Sequence, residues 1–76
     1  MNYYYITGKT KHAIAYTDSI QKAENIFYNK IVDDILSVKE IDKNSIVLGY
    51  IPLAELLEFR DVRPHTIFWD SSINIR

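Results

Sequence analysis

The 76-residue sequence contains no cysteine, only two glycines and two prolines, and no aliphatic run longer than three residues. Without cysteine there can be no disulfide and no thiolate metal site, so packing, a partner or self-association must stabilise the fold. A run of three apolar residues cannot cross a bilayer, and the first residues lack the basic and apolar segments of a signal peptide. We therefore expect a cytoplasmic protein that does not enter a membrane.

Catalytic and cofactor motifs are missing too. Residues 8–10, Gly-Lys-Thr, match the end of a phosphate-binding loop, but that motif needs a glycine five positions earlier, where Tyr3 stands. A hairpin turn with solvated lysines is the favoured interpretation of this segment. The only imidazoles, His12 and His65, show no metal-ligand spacing, and no serine lies in a nucleophile elbow. We expect neither an enzyme nor a bound cofactor or metal.

Charge is nearly balanced, with nine Lys and Arg against ten Asp and Glu and a net charge of −1. Such a chain has no long-range attraction to nucleic acid or to an anionic membrane, so binding to either would need a local patch. We therefore do not expect direct nucleic-acid binding.

Apolar and aromatic residues are abundant, at 47% hydrophobic, with six Tyr, three Phe, one Trp and twelve Ile. Together with 25% charged residues, this is the composition of a folded domain, and the length allows a single one, residues 1–76. A domain of this size hides only about 60–65% of the surface that its unfolded chain exposes, so each large apolar side chain matters. Heavy use of Ile, Lys, Asn and Tyr is also typical of AT-rich genomes, such as those of low-GC bacteria and their phages.

The first part of the chain predicts a β-hairpin followed by a helix. Residues 2–7 and 12–17 are β-favouring and flank a polar turn. Asp18 stands at the N-cap position with Gln21 three residues on, a pair that starts a helix ending near residue 30. An apolar stripe runs along this helix at spacings of three and four: Ile20, Ala23, Phe27 and Ile31.

The second part predicts another hairpin, a short helix and a closing strand. Residues 35–41 and 45–50 have the composition of strands joined by a polar turn. A proline, which suits the first turn of a helix, opens a short helix over 52–59. The closing strand, 65–70, carries Trp69, which we expect in the core.

These elements, in the order β-β-α-β-β-α-β, predict an α+β fold. We expect one small antiparallel-rich sheet of about five strands, with the main helix packed on one face and a short second helix. Alternation along the second strand places Ile14 and Tyr16 towards the main helix. Large aromatic residues occur on both faces of the first strand in either register, so a face that the helix leaves uncovered is open to a partner.

The candidate binding residues are aromatic and basic side chains of the first hairpin and acidic residues of the second helix. Sheet aromatics flanked by cations can stack bases or anchor a protein interface, although tyrosines also suit half-buried strands. The two glutamates of the second helix share a face near Asp61, and this acidic patch can meet a basic partner or only water. The predicted partner-binding set is Tyr3, Tyr5, Lys9, Lys11, His12, Glu55 and Glu58.

From this pattern we expect a non-enzymatic protein–protein interaction module, a monomer or a small homo-oligomer such as a homodimer, that occludes a larger protein. Small size, a single domain, the lack of catalytic groups and AT-rich composition resemble the general type of phage-encoded inhibitor, including anti-CRISPR and other anti-defence proteins. The resemblance implies a host defence or nucleic-acid-processing protein as the partner and the host cytoplasm as the location. The alternative is a small nucleic-acid-binding domain that uses tyrosines and lysines of the first hairpin.

Overall fold

The computed structural model describes residues 1–47 and 50–72, with the backbone alone for 69–72. Within these residues, six strands and two helices form an α+β structure in the order β-β-α-β-β-β-α-β, which confirms the predicted fold class. The elements are β1 (Asn2–Gly8), β2 (Lys11–Thr17), α1 (Ile20–Lys30), β3 (Ile35–Ile41), β4 (Ile46–Val47), β5 (Ile51–Pro52), α2 (Leu53–Leu57) and β6 (Thr66–Ser72).

The main sheet has four antiparallel strands in the order β3-β1-β2-β6. β1 and β2 form the predicted first hairpin. The predicted second hairpin is wrong, because β3 pairs with β1 while β4 pairs with β5 in a separate two-stranded ribbon. Asp42 accepts hydrogen bonds in the turn between β3 and β4, and the chain then runs onto a face of the sheet instead of along its edge. Residues 48 and 49 of the predicted strand 45–50 lie outside the described residues.

Helix α1 starts one residue later than the capping prediction. Ser19, not Asp18, is the N-cap, and its hydroxyl accepts a hydrogen bond from the backbone N–H of Lys22 at 3.2 Å. The carboxylate of Asp18 instead accepts from Nζ of Lys22 at 3.1 Å, and this hydrogen bond lowers the pKa of Asp18. Each of the two side chains accepts a hydrogen bond from a group of the first turn, so the N-cap residue could not be assigned from residue type alone.

One face of the main sheet packs against α1. Ala23 and Phe27 of the helix are fully buried against the sheet, Ile31 is half-buried, and Ile20 is exposed. The sheet residues of this core are Tyr4, Ile6, Ala13 and Ala15. The prediction that Ile14 and Tyr16 point towards the helix is therefore wrong. The small alanines face the helix because they leave room for the Phe27 ring, and the large residues of β2 point the other way.

The opposite face of the main sheet is partly covered by β4, β5 and α2, which together we call the capping unit. Leu53 and Leu56 of α2 pack with Val47 of β4 and Ile14 of β2 in a second buried cluster. The expectation that this face is left to a partner is wrong for the part beneath α2. The chain supplies its own cover there, because it buries Leu53 and Leu56 against the large side chains of β2.

The second helix and the closing strand lie near their predicted positions. α2 occupies Leu53–Leu57, inside the predicted 52–59, and Pro52 is its N-cap residue. β6 begins at Thr66, because His65 has a φ of 60°, outside the β region. The side chain of Trp69, which the sequence places in the core, lies outside the described part of the structure.

Candidate interaction surfaces

The sheet face that carries the capping unit is polar at one end and apolar at the other. Strand register places three cross-strand rows on it: Ser37, Thr7 and His12; Lys39, Tyr5 and Ile14; Ile41, Tyr3 and Tyr16. The first row is polar, the second is mixed, and the third is apolar and aromatic. The capping unit lies over the apolar end, since that is where its leucines find apolar partners.

At the covered end, Tyr3 is part of the packing. Its ring stacks on the ring of Tyr16, with centroids 4.7 Å apart, and meets Phe68 edge-on at 6.2 Å. The pKa of Tyr3 is raised, mainly by burial and to a smaller extent by the nearby Tyr16. Tyr3 is half-buried, so this predicted binding residue is in large part a structural one.

At the other end, an open cleft of about 480 Å³ lies between the sheet and β4. Its described lining is Tyr5, Thr7, Ser37, Lys39, Ile41, Ser45, Ile46 and Val47. The Tyr5 hydroxyl and Nδ1 of His12 share a hydrogen bond of 2.7 Å, and burial raises the pKa of Tyr5. Two of the predicted site residues, Tyr5 and His12, are therefore linked side by side next to this cleft.

The predicted lysines, Lys9 and Lys11, lie in or next to the turn between β1 and β2, with their side chains exposed. The turn is fastened by Asp33, whose Oδ2 accepts backbone N–H bonds from Thr10 and Lys11 at 2.8 and 3.0 Å. These bonds, the one from Thr10 first, lower the pKa of Asp33. The role of Asp33 depends on a contact 23 positions away, which no local sequence pattern reveals.

The predicted acidic residues belong to another part of the surface. Glu55 lies in α2 and Glu58 is its C-cap residue, and both are exposed. Asp61 is exposed as well and pairs with Arg63 at 3.5 Å. The leucines of α2 point into the second core, so the two glutamates lie on the outside of the capping unit and do not join the tyrosines and lysines in one site.

A surface that the sequence did not single out lies at the C-terminal end of α1. Val32 follows the C-cap residue Ile31 with a φ of 56° and exposes 82% of its surface. Tyr28, one turn earlier, exposes 47%. A depression of about 250 Å³ is lined by Tyr28, Val32, Asp33 and Asp34. The sequence does not predict this surface, because nothing about a valine that follows a helix indicates a positive φ.

The two histidines lie far apart in the described structure. His12 is the second residue of β2, and His65 shares a hydrogen bond of 2.8 Å with Thr17, the last residue of that strand. These two positions of β2 are about 16 Å apart at about 3.3 Å per residue. No group of three or more His, Cys, Asp or Glu that could hold a metal ion occurs in the part of the chain that the structure describes. Among those same residues, no helix has the length and hydrophobicity to span a membrane.

Comparison with known proteins adds no relative. No protein-family profile, curated protein sequence or solved structure matches this chain. A functional assignment must therefore rest on the two surfaces described above, the open cleft and the exposed end of α1.

Proposed function

We propose that this chain is a non-enzymatic protein–protein interaction module that occludes part of a larger protein, and that Val32 and Tyr28 form the centre of its contact surface. The observation that carries the proposal is the conformation of Val32, a β-branched residue held at positive φ with its side chain in solvent. No cofactor has a part in this mechanism, which depends on shape and charge.

The backbone around Val32 favours glycine. The N–H groups of Ile31 and Val32 both donate to the carbonyl of Phe27, at 2.8 and 3.4 Å, and Val32 takes the left-handed conformation just after the C-cap residue. Glycine is usual there, since an L-residue in this conformation costs about 1–2 kcal/mol and a β-branched one is an outlier. Exposed as it is, Val32 gains little from burial to offset that cost. The fold sets this conformation but does not require a β-branched side chain in it, and backbone strain of this kind is typical of functional positions.

The composition of the surface fits a protein partner. A half-exposed tyrosine beside an exposed aliphatic residue is the kind of pair that anchors protein interfaces. The exposed carboxylate of Asp34 borders it and favours a partner surface that carries Lys or Arg, whereas the carboxylate of Asp33 is bound to the turn between β1 and β2. Leu36, on the edge strand β3, also exposes 68% of its surface.

A basic partner surface is what nucleic-acid-processing proteins present. We therefore propose that the partner is a host defence or nucleic-acid-processing protein, which is the kind of partner that phage-encoded anti-defence inhibitors bind. The proposed location is the host cytoplasm. A second copy of this chain is the competing partner, because eight large hydrophobic residues are exposed among those described.

The test uses three tagged baits on a lysate of a low-GC bacterium: wild type, Val32→Gly and Phe59→Ala. Val32→Gly removes the presented side chain while it relieves the backbone. Phe59→Ala removes an apolar side chain that is 77% exposed beyond the C-terminal end of α2, and it is the matched control for unspecific adhesion. We expect one protein that wild type and Phe59→Ala retain equally and that Val32→Gly retains at least about ten-fold less.

Equal retention by all three baits, equal loss with both variants, or no protein retained above background would each contradict the proposal. Light scattering decides between the two partners. A mass of twice 8.9 kDa that falls to the monomer in Val32→Gly would assign the surface to self-association and contradict the larger partner.

A further inference from the structure

The open cleft has the size and shape of a small-molecule site. Its volume of about 480 Å³ falls in the lower part of the range for ligand pockets. Ile41, Ile46 and Val47 give it an apolar wall, and the polar rows of the sheet give it a floor. An apolar wall with a few converging polar groups is the common composition of such pockets.

The polar floor carries donors and positive charge. Thr7 and Ser37 lie directly opposite each other on β1 and β3, and Tyr5 lies opposite Lys39. Lys39 is the only charged side chain among the described lining residues, which include no carboxylate. Within the described structure, the side chains of Thr7, Ser37 and Lys39 make no hydrogen bond or ion pair, so their donors are available to a ligand.

The nearby phenol keeps its proton. Burial raises the pKa of Tyr5, so its hydroxyl is neutral at physiological pH and adds no negative charge to the cleft. Its hydrogen bond with His12 holds the ring in place at the edge of the floor. Lys39 would therefore repel a cationic ligand, and no carboxylate among the described lining residues would attract it. An anionic ligand would instead pair with the ammonium group and accept hydrogen bonds from several hydroxyls.

We propose that this cleft binds a small organic carboxylate with an apolar body. The carboxylate lies between Lys39 and the hydroxyls of Thr7 and Ser37, which donate to it. The apolar body lies against Ile46 and Val47 of the capping unit. This site is separate from Val32 and Tyr28, because it is built from β1, β3 and β4, so either proposal can fail without the other.

The test is a ¹H–¹⁵N NMR titration with hexanoate, and with hexanamide as its uncharged counterpart. We expect hexanoate to shift the amide signals of Thr7, Ser37 and Lys39 in a saturable way, and hexanamide to bind at least about ten-fold more weakly, as loss of a charge-assisted hydrogen bond implies. Lys39→Met should weaken hexanoate binding by a similar factor. Lys30→Met, which removes an exposed lysine from the end of α1, should change it less than about two-fold.

Four outcomes would overturn the site: no saturable shift at millimolar hexanoate, equal binding of the amide, shifts centred on Tyr28 and Val32, or equal effects of the two lysine variants. Because Lys39 is exposed, Lys39→Met should keep the wild-type dispersion of amide signals. The same spectra therefore show that any loss of binding occurs in a folded protein.

Discussion

Oδ2 of Asp33 accepts a hydrogen bond from the backbone N–H of Thr10 at 2.8 Å and joins the end of α1 to the turn between β1 and β2. The neighbouring Asp34 carbonyl accepts from the N–H of Lys9, also at 2.8 Å. Val32 lies immediately before these two residues, and its own N–H is bound to the last turn of α1. Its positive φ is therefore fixed by anchors on both sides and not by contacts of its side chain.

The lowered pKa of Asp33 predicts that this anchor weakens in acid. Hydrogen bonds hold the folded-state pKa below the unfolded value, so the carboxylate stabilises the fold above about pH 4, and that contribution is lost as the pH falls through the folded-state pKa. Asp33→Asn removes the ionisable group. It should melt at a lower temperature than wild type near pH 7, and the two curves should converge near about pH 2.

Thermal unfolding followed by circular dichroism measures this effect, with Asp34→Asn as the control. The side chain of Asp34 is exposed, and the substitution keeps the backbone carbonyl that binds Lys9. Asp18, whose pKa is lowered by its hydrogen bond to Lys22, contributes the same acid dependence to every variant. A gap between wild type and Asp33→Asn that is constant from neutral to acid pH would refute the role assigned to the carboxylate.

Because Gly8 has no side chain, it leaves room for the Asp33 carboxylate beside it. A Cβ at this position would lie 2.6 Å from the carbonyl oxygen of Lys11 and 2.8 Å from the ring of Phe27, and it would also collide with the Asp33 carboxylate. Gly8→Ala should therefore lower the free energy of unfolding by about 1–3 kcal/mol. In urea denaturation, Lys9→Ala serves as the control, since it shortens an exposed side chain of the same turn and should cost less than about 0.5 kcal/mol. Equal costs for the two variants would contradict the close packing at Gly8.

The sequence predicts the elements of this fold better than it predicts their arrangement. The spacing of Ala23 and Phe27 places α1 correctly, and β-favouring residues mark β1, β2 and β3. Which face of β2 meets α1 was predicted wrongly. Both faces of that strand are buried, so alternation separates Ala13 from Ile14 without showing which of them lies under the helix.

Pairing and sites depend on contacts that are distant in sequence. β4 pairs with β5 and not with β3. The chain after the Asp42 turn buries more apolar surface by covering the apolar row at Tyr3 than it would by adding a strand to the edge of the sheet. Tyr5 and His12 come together because they lie on adjacent rows of neighbouring strands, which the predicted hairpin already implies. The exposed Val32 could not be predicted, since its significance lies in a dihedral angle.

The capping unit should depend on Leu53, which is fully buried. Leu53→Ala leaves a cavity over the apolar row and should lower the free energy of unfolding by about 2–4 kcal/mol. Hydrogen exchange should show faster exchange at Val47 and Leu56, which pack in the same cluster. Glu55→Ala, on the exposed side of α2, should change the stability by less than about 0.5 kcal/mol. A cost for Leu53→Ala below about 1 kcal/mol would mean that α2 is not held to the sheet through this side chain.

The alternative of nucleic-acid binding makes a different prediction. Lys9 and Lys11 flank a turn whose backbone binds the Asp33 carboxylate, so part of the positive charge there is compensated. We expect no gel shift of single-stranded DNA or RNA at low salt. A shift that weakens with added salt and disappears when both lysines are replaced by glutamine would favour the nucleic-acid function and contradict ours.

The free energy of unfolding of Val32→Gly, measured by urea denaturation beside wild type, tests most directly whether Val32 is held for a partner and not for the fold. Glycine relieves the positive φ, and its greater freedom in the unfolded chain offsets about 0.5–1 kcal/mol of that gain. The predicted result is a stability equal to that of wild type or higher by up to about 1 kcal/mol. A loss of about 1 kcal/mol or more would show that the side chain stabilises the folded state, and it would contradict the proposal.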